Sequence, residues 1–427
     1  MTGIHSRKSD TPQLGALLRL MLPFAFAYFL SHVYRTVNAV IAPDLMESIG
    51  LSAAELGLLS STFMLTFALA QIPLGVLLDL YGARRVEATL LCIAALGGGV
   101  FAASDNVITL AIARALMGLG VAACLMAALK TMAINFPSSW LITVHGLLVA
   151  IGGLGAIMAT TPAETMVRFL GWRLVFLLLA GATVISAVVL FMLVKDPPRP
   201  RRRTTWRREV VGLRRALSHP FFLGVGPAVG LIQGGFVAIQ TLWAGPWLYN
   251  VAGLERAIVG HYLLLVAVGM VAGYLVNGFM GARFSRWGLN PIVLAIIGSA
   301  LLLGALGLII VMGRAPLLLW IIFGFFGTST TLCFALIGRE VPSQYIGRVS
   351  TAMNFLVFAM AFLFQWGMGA IMKVWVTGPE EGLEKLSYQI AFSMTLSFQI
   401  LGWIWLVRTA LGMRQTNELL SSSSKSR

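Results

Sequence analysis

One stretch of the sequence gathers polar chemistry inside an apolar run: Tyr28-Phe-Leu-Ser-His32-Val-Tyr34-Arg35-Thr-Val-Asn38-Ala-Val-Ile-Ala-Pro43-Asp44. On an α-helix, spacings of four and three put Tyr28, His32 and Arg35 on one face, with Asn38 a further turn along. A single polar stripe down an otherwise apolar helix marks a face that lines an aqueous cavity. A guanidinium there presents a planar fork of donors suited to a carboxylate or phosphate. A second cation, Arg114, also stands inside an apolar run, where an Arg is costly unless it is paired or faces water. Neutral donors that could assist them are Gln233, Gln240, Trp243 and Asn250 in one later run, and Asn354 and Gln365 in another.

The acids are placed differently. Asp44, Asp79 and Glu164 stand at the ends of runs and Glu340 follows one, so no Asp or Glu is expected in the middle of a run. If protons are moved, His32 and His145 are the first candidates, because imidazole titrates near neutrality. A cavity with Arg35 and Arg114 but no carboxylate repels cations, which favours an anionic or zwitterionic solute. Enzyme chemistry finds no footing. There is no catalytic dyad, metal-ligand cluster or phosphate-binding loop, and Gly97-Gly98-Gly99 falls inside an apolar run as a helix-packing feature. Cys92, Cys124 and Cys333 occur singly, so neither a disulfide framework nor a zinc site is indicated, and no cofactor or metal is expected.

The elements that must position these residues follow from composition. Of the 427 residues, 58% are hydrophobic and 11% charged, and the mean hydropathy is +0.87. A soluble domain has roughly 45–50% apolar and about 25% charged residues, so an ordinary globular enzyme is excluded, as is a disordered or collagen-like chain. Apolar runs fall at 17–41, 56–80, 86–104, 107–130, 139–162, 172–194, 220–248, 257–282, 291–312, 316–337, 348–373 and 387–410. Each is of the length a membrane-spanning helix needs. The first lacks a small-residue cleavage site and reads as a retained span rather than a signal peptide. The expected fold is therefore an all-α membrane protein of twelve transmembrane helices.

Residues 195–219 form the one long, strongly charged interior connection and divide the chain into six-helix halves, 1–194 and 220–410, with a polar, disordered tail at 411–427. The net charge of +15 comes from basic residues lying between apolar runs. That pattern fits cytoplasmic loops rather than nucleic-acid binding. With both termini cytoplasmic, the loops of the opposite side hold only Arg168, Arg173, Arg256, Arg314, Lys373 and Lys385 of the 31 Lys and Arg. The Arg-rich connection can also touch anionic lipid headgroups of the bilayer.

The halves read as repeats. Pro137-Ser138-Ser139-Trp140-Leu141 recurs as Pro342-Ser343-Gln344-Tyr345-Ile346 at an offset of 205, and Gly82 with Gly288 and Gly118 with Gly324 are offset by 206. Parallel halves of this kind build transporters whose site lies between them near the midplane.

The loop after the second run, Gly75-Val-Leu-Leu-Asp79-Leu80-Tyr81-Gly82-Ala83-Arg84-Arg85, resembles the loop signature of the major facilitator superfamily. The resemblance extends along the whole chain through the span count, the central connection and the half-repeat. It implies a two-lobed fold that works by alternating access. It also implies that Gly75, Asp79, Gly82, Arg84 and Arg85 form a latch, in which the carboxylate engages a helix N-terminus or an Arg across the halves. The basic residue that follows the Asp in the family is Leu80 here, and the second half carries Ser285 where the Asp would stand. Arg114-Ala-Leu-Met-Gly118-Leu-Gly120 resembles the family's second signature, and such glycines let helices approach closely. The Gly-Pro of the family's antiporters is absent from the Gly-rich run Gly146–Gly155.

Arg35, eight residues before Pro43, is similar to the first span of the family's organic-anion branches, in which that Arg binds the substrate's anionic group. Organic-phosphate relatives place a second Arg in the seventh run. This chain has none there, which favours a carboxylate or another singly charged group. The expected function is secondary transport of a small organic anion by a monomer, in a bacterial inner membrane. Two alternatives are an exporter of xenobiotics or of a siderophore-like product, and a solute-sensing receptor. The receptor would need a folded signalling domain, for which the central segment and tail are too short and too polar.

Overall fold

The computed structural model describes residues 14–136, 138–195, 214–215, 217–286, 290–314, 316–342, 345–375 and 383–425, and every regular element among them is helical. Ten of these helices are long and apolar enough to cross a membrane. The first and fifth apolar runs are also helical, as Leu14–Thr36 followed by Asn38–Ile49, and as Ser138–Met158, which is consistent with the expected twelve. The order is all-α and divides at the basic connection, most of which lies outside the described residues.

Local chemistry sets where the spans start and stop. The second span, Ala53–Tyr81, opens on a capping box in which Ser52 and Glu55 satisfy each other's backbone groups, removing orphan donors at the helix start. It ends at Gly82, whose φ of 85° lies where an L side chain is strained, and the third span, Ala83–Ala102, begins at once. Asn106 caps the fourth span, accepting from the Thr109 N–H at 3.0 Å. That span is split into Val107–Gly120 and Cys124–Asn135. In Thr161–Leu193 a φ of 74° at Gly171 breaks the helix, so the membrane-crossing part begins close to the expected 172. The first span tightens at Val37, whose carbonyl accepts from both the Val40 and Ile41 N–H groups, while its backbone stays helical.

In the second half, Pro220–Ala238 continues through two π-helical turns, Ile239–Trp243 and Trp247–Val251. It is followed by Arg256–Arg286, Pro291–Met312, Leu317–Phe326 with Leu332–Glu340, Ile346–Trp375 and Leu383–Lys425. The last helix runs on through 411–425, residues expected as tail.

Tight helix contacts build each half. A side chain at Gly118 would strike the Phe63 carbonyl of the second span, and one at Gly324 would strike the Val266 carbonyl of the eighth. The 206-residue repeat is thus expressed as the same kind of packing in both halves. Between the halves, Gly57 of the second span lies against Gln365, Trp243 and Gly369. These contacts, with Gly245 on Ala39 and Gly260 on Thr161 and Glu164, sit at the end of the bundle opposite Arg84, Arg85 and the basic connection. Nearer the middle, the rings of Phe67 and Phe358 meet across the halves at 4.3 Å.

Candidate functional site

The junction of the two halves centres on Arg35. Its guanidinium carbon lies 4.8 Å from the ring centroid of Phe67 in one half and 4.8 Å from that of Phe358 in the other. Stacking on two aromatic faces holds the planar cation in place. Tyr28, Tyr274 and Cys124 are its electrostatic neighbours, so the first, second, fourth, eighth and eleventh spans converge on one charge. No hydrogen-bond acceptor or carboxylate pairs with it among the described residues, and its Nε is buried without a partner. A charge so placed is unfinished: the low-dielectric surroundings make it costly, and an incoming anion would complete it.

The sequence stripe is realised on this face. His32 packs edge-on against Tyr28 with ring centroids 4.5 Å apart, and its Nδ1 lies 3.2 Å from the Tyr28 carbonyl. Behind them, Gly152 of the fifth span leaves no room for a Cβ, which would approach the Tyr28 ring to 2.5 Å. The Gly-rich fifth run therefore serves to bring its helix onto the polar stripe. Tyr274 of the eighth span was not singled out from the sequence. Its signal was a lone hydroxyl inside an apolar run, too common a pattern to stand out before the fold set it beside Arg35.

Other candidates lie apart from this centre. Asn38 is wholly buried directly after Val37 and donates from Nδ2 to the Ser60 hydroxyl at 2.6 Å. Arg114 is also fully buried. It donates from Nη1 to the Tyr34 carbonyl at 2.8 Å and stacks over Phe63 at 4.6 Å. It therefore braces the fourth span against the first one turn before Val37.

In the second half, Gln233 accepts a hydrogen bond from Thr330 at 2.5 Å. Gln365 donates to Thr241 at 2.9 Å, and the Trp243 indole donates to the Gln365 carbonyl at 3.2 Å. Asn250 donates to the Tyr388 hydroxyl at 2.7 Å. Gln240 is buried in the first π-helical turn. Asn354 stands one turn from Phe358 on the eleventh span and is partly buried.

Of the latch residues, Gly82 provides the turn, Gly75 is exposed, Arg85 is exposed and Arg84 lies over the Phe191 ring at 4.7 Å. The side chains of Asp79 and His145 lie outside the described residues.

Two sets of charges gain a meaning that their sequence positions did not suggest. Arg256, at the start of the eighth span, donates from Nη1 to Asp44 Oδ1 at 3.0 Å and bonds the other oxygen through Nη2. Its Nε lies 3.6 Å from Glu164. Asp44 and Glu164 belong to the first half and Arg256 to the second, so this triad ties the halves together at the end opposite the basic connection. The other is Glu87. It stands at the edge of the third apolar run, but the helix begins at Ala83, so Glu87 is carried inward and is wholly buried.

Two helical lobes that meet at a buried cation, with no hydrogen-bond acceptor for it among the described residues, have the form of a membrane carrier. The chain belongs to the Major Facilitator Superfamily, whose model matches residues 24–365. Among its relatives, the hexuronate transporter of Bacillus subtilis (strain 168) is 24% identical over 357 residues, covering 79% of this chain and 84% of that one. The probable L-galactonate transporter of Escherichia coli (strain K12) is 24% identical over 364 residues, covering 80% of each. The fold matches the crystal structure of a bacterial homolog to the human lysosomal transporter Spinster, in its inward-facing and unoccupied conformation. The TM-score is 0.74 at 16% identity, over 93% of this chain and 98% of that one.

Proposed function

We propose that this protein carries a small carboxylate-bearing solute, of the size and charge of a hexuronate or an aldonate, across a bacterial inner membrane by alternating access. The observation that carries the reading is the Arg35 guanidinium, held between Phe67 and Phe358 and without an acceptor. Its planar fork matches a carboxylate, while Tyr28, His32 and Tyr274 offer further polar groups to the hydroxyls of such a solute. The relatives named as a hexuronate transporter and a probable L-galactonate transporter support the same class. Because the site lies between the halves of a single chain, a monomer suffices.

The excess of Lys and Arg assigns the basic end, both termini and the central connection to the cytoplasm. The contacts around Gly57, Gly245 and Arg256 would then lie on the external side and hold it closed. Asp79 with Arg84 and Arg85 would latch the cytoplasmic side in the alternate state. The test is a thermal-shift screen of the purified protein with D-glucuronate, a zwitterionic amino acid and tetraphenylphosphonium, run beside Arg35→Gln. A ligand that binds the folded protein raises its midpoint by mass action. D-Glucuronate is expected to stabilise the parent and not the variant, with affinity reduced roughly 10- to 150-fold as a charge-assisted bond is lost. Equal stabilisation of both proteins, or stabilisation by the cation alone, overturns the reading.

A further inference from the structure

The interruptions of the fourth and tenth spans fall in the same register as the repeated glycines. The fourth span is interrupted between Val107–Gly120 and Cys124–Asn135, the tenth between Leu317–Phe326 and Leu332–Glu340. Where a helix stops, main-chain carbonyls lose their helical donors, and in each half a side-chain amide of the neighbouring span bonds one. Gln71 of the second span donates from Nε2 to the Ala122 carbonyl at 3.3 Å, and Asn277 of the eighth donates from Nδ2 to the Thr328 carbonyl at 3.1 Å. Donors and acceptors alike are 206 residues apart.

The two amides differ in what their oxygens meet. Gln71 is 2% exposed and its Oε1 is enclosed without a partner, whereas Asn277 is only partly buried. Thr328 fixes which way the Asn277 amide points. Its Oγ1 gives its single proton to the Phe325 carbonyl at 2.9 Å. Toward Asn277, that Oγ1, at 3.1 Å, and the Thr328 carbonyl can therefore only accept. The amide nitrogen must face Thr328, so Oδ1 is turned away from it, and no donor among the described residues bonds that oxygen.

Helix geometry places this acceptor beside the anion site. Gly269 and Gly273 lie against the Ile321 and Phe325 carbonyls and mark the line on which the tenth span packs. Asn277 stands on the Tyr274 side of that line, about 60° from Tyr274 around the helix and about 4.5 Å along its axis. Tyr274 interacts electrostatically with Arg35. The second half thus sets an acceptor one turn from the hydroxyl that accompanies the cation.

We infer that Asn277 is a specificity residue of this site, whose Oδ1 accepts a hydrogen bond from a solute hydroxyl while Arg35 holds the carboxylate, so that the cargo is a hydroxy acid. The inference rests on the reading of Arg35 given above and adds a second point of recognition to it. A solute with a hydroxyl several ångströms from its carboxylate satisfies both groups. A second carboxylate offers no donor to Oδ1. A plain hydrocarbon displaces the water that otherwise bonds Oδ1 and returns nothing, which lowers affinity.

The experiment measures binding to the purified full chain by titration calorimetry, with D-glucuronate and cyclohexanecarboxylate as the probes. Both carry one carboxylate on a six-membered ring, and only the first has hydroxyls. The parent is expected to bind D-glucuronate more tightly. Asn277→Leu is expected to weaken D-glucuronate two- to tenfold, the range of one lost hydrogen bond, and to leave cyclohexanecarboxylate unchanged, so the ratio of the two affinities falls. Gln71→Leu removes the matching amide of the first half and is expected to leave that ratio as it is in the parent. Equal affinity of the parent for both probes overturns the proposal without recourse to a variant. Weakening of both probes by the same factor in Asn277→Leu, an unchanged ratio, or the same shift in Gln71→Leu also overturns it, because each assigns the amide to bracing alone. Failure of the Arg35 reading appears separately, as binding of both carboxylates that survives in Arg35→Gln.

Discussion

A guanidinium between two phenyl rings, with its Nε buried and no acceptor for it among the described residues, is ready for a ligand because its surroundings leave it incomplete. Arg114 makes the contrast. Its Nε is likewise buried without a partner, but the bond from its Nη1 to the Tyr34 carbonyl and its stacking on Phe63 make it part of the scaffold. Chemical type alone does not separate the two residues; what surrounds each side chain does. Tyr274 belongs with Arg35. From the other half of the molecule it interacts electrostatically with the cation. Tyr274→Phe keeps the ring and removes one donor, worth about 0.5–1.5 kcal/mol. Binding of D-glucuronate, measured by calorimetry, is expected to weaken roughly two- to tenfold with little change in thermal midpoint. An unchanged affinity would take Tyr274 out of the site.

The elements are shaped by the need to bring these side chains together without leaving gaps. The fourth span lies close to the second because Gly118 has no side chain, and Thr66 fixes the pair by donating to the Ala115 carbonyl at 2.8 Å. Gly118→Val drives methyl groups into the Phe63 carbonyl. Overpacking of this kind costs about 1–3 kcal/mol. The variant should show a thermal midpoint several degrees lower in detergent, and lower transport, because Phe63 also supports Arg114. A midpoint equal to the parent's would show that the second span yields. The tightened turn at Val37 and the π-helical turns around Gln240 and Trp243 are departures from regular α-helix. Irregular backbone is tolerated at membrane depth where protein buries it or a cavity solvates it, and π-helical turns often mark functional positions.

For the molecule as a whole, the two halves are held at one end by small-residue contacts and by the triad of Arg256, Asp44 and Glu164. Its side chains are partly open to solvent, at 34% for Arg256 and 21% for Asp44, so its worth is modest, on the order of 1 kcal/mol. A change of 1.4 kcal/mol shifts the ratio of two states about tenfold, which is enough to alter which side is open. Arg256→Ala is expected to move the population toward opening at this end. Spin labels at Ser48 and Ile258, one in each half, would report longer distances by double electron–electron resonance. An unchanged distance distribution would mean that the packing around Gly57 and Gly369 alone keeps the end closed.

Much of this was legible in the sequence. Membrane residence follows from composition, because backbone groups in lipid must be satisfied within each helix and apolar runs of span length admit little else. The two halves followed from the basic connection and the repeat. The stripe of Tyr28, His32 and Arg35 followed from helical periodicity, since residues three and four apart share a face whatever surrounds them. What the stripe faces was not legible. The pairing of Arg35 with Phe358 and Tyr274, the sequestering of Arg114, the triad that joins residues 44, 164 and 256, and the enclosure of Glu87 all join residues far apart in the chain. Each depends on which helices touch. Sequence periodicity determines the polar face of a helix, but only tertiary packing decides whether a charge on that face meets a partner, meets water or is left waiting for a ligand.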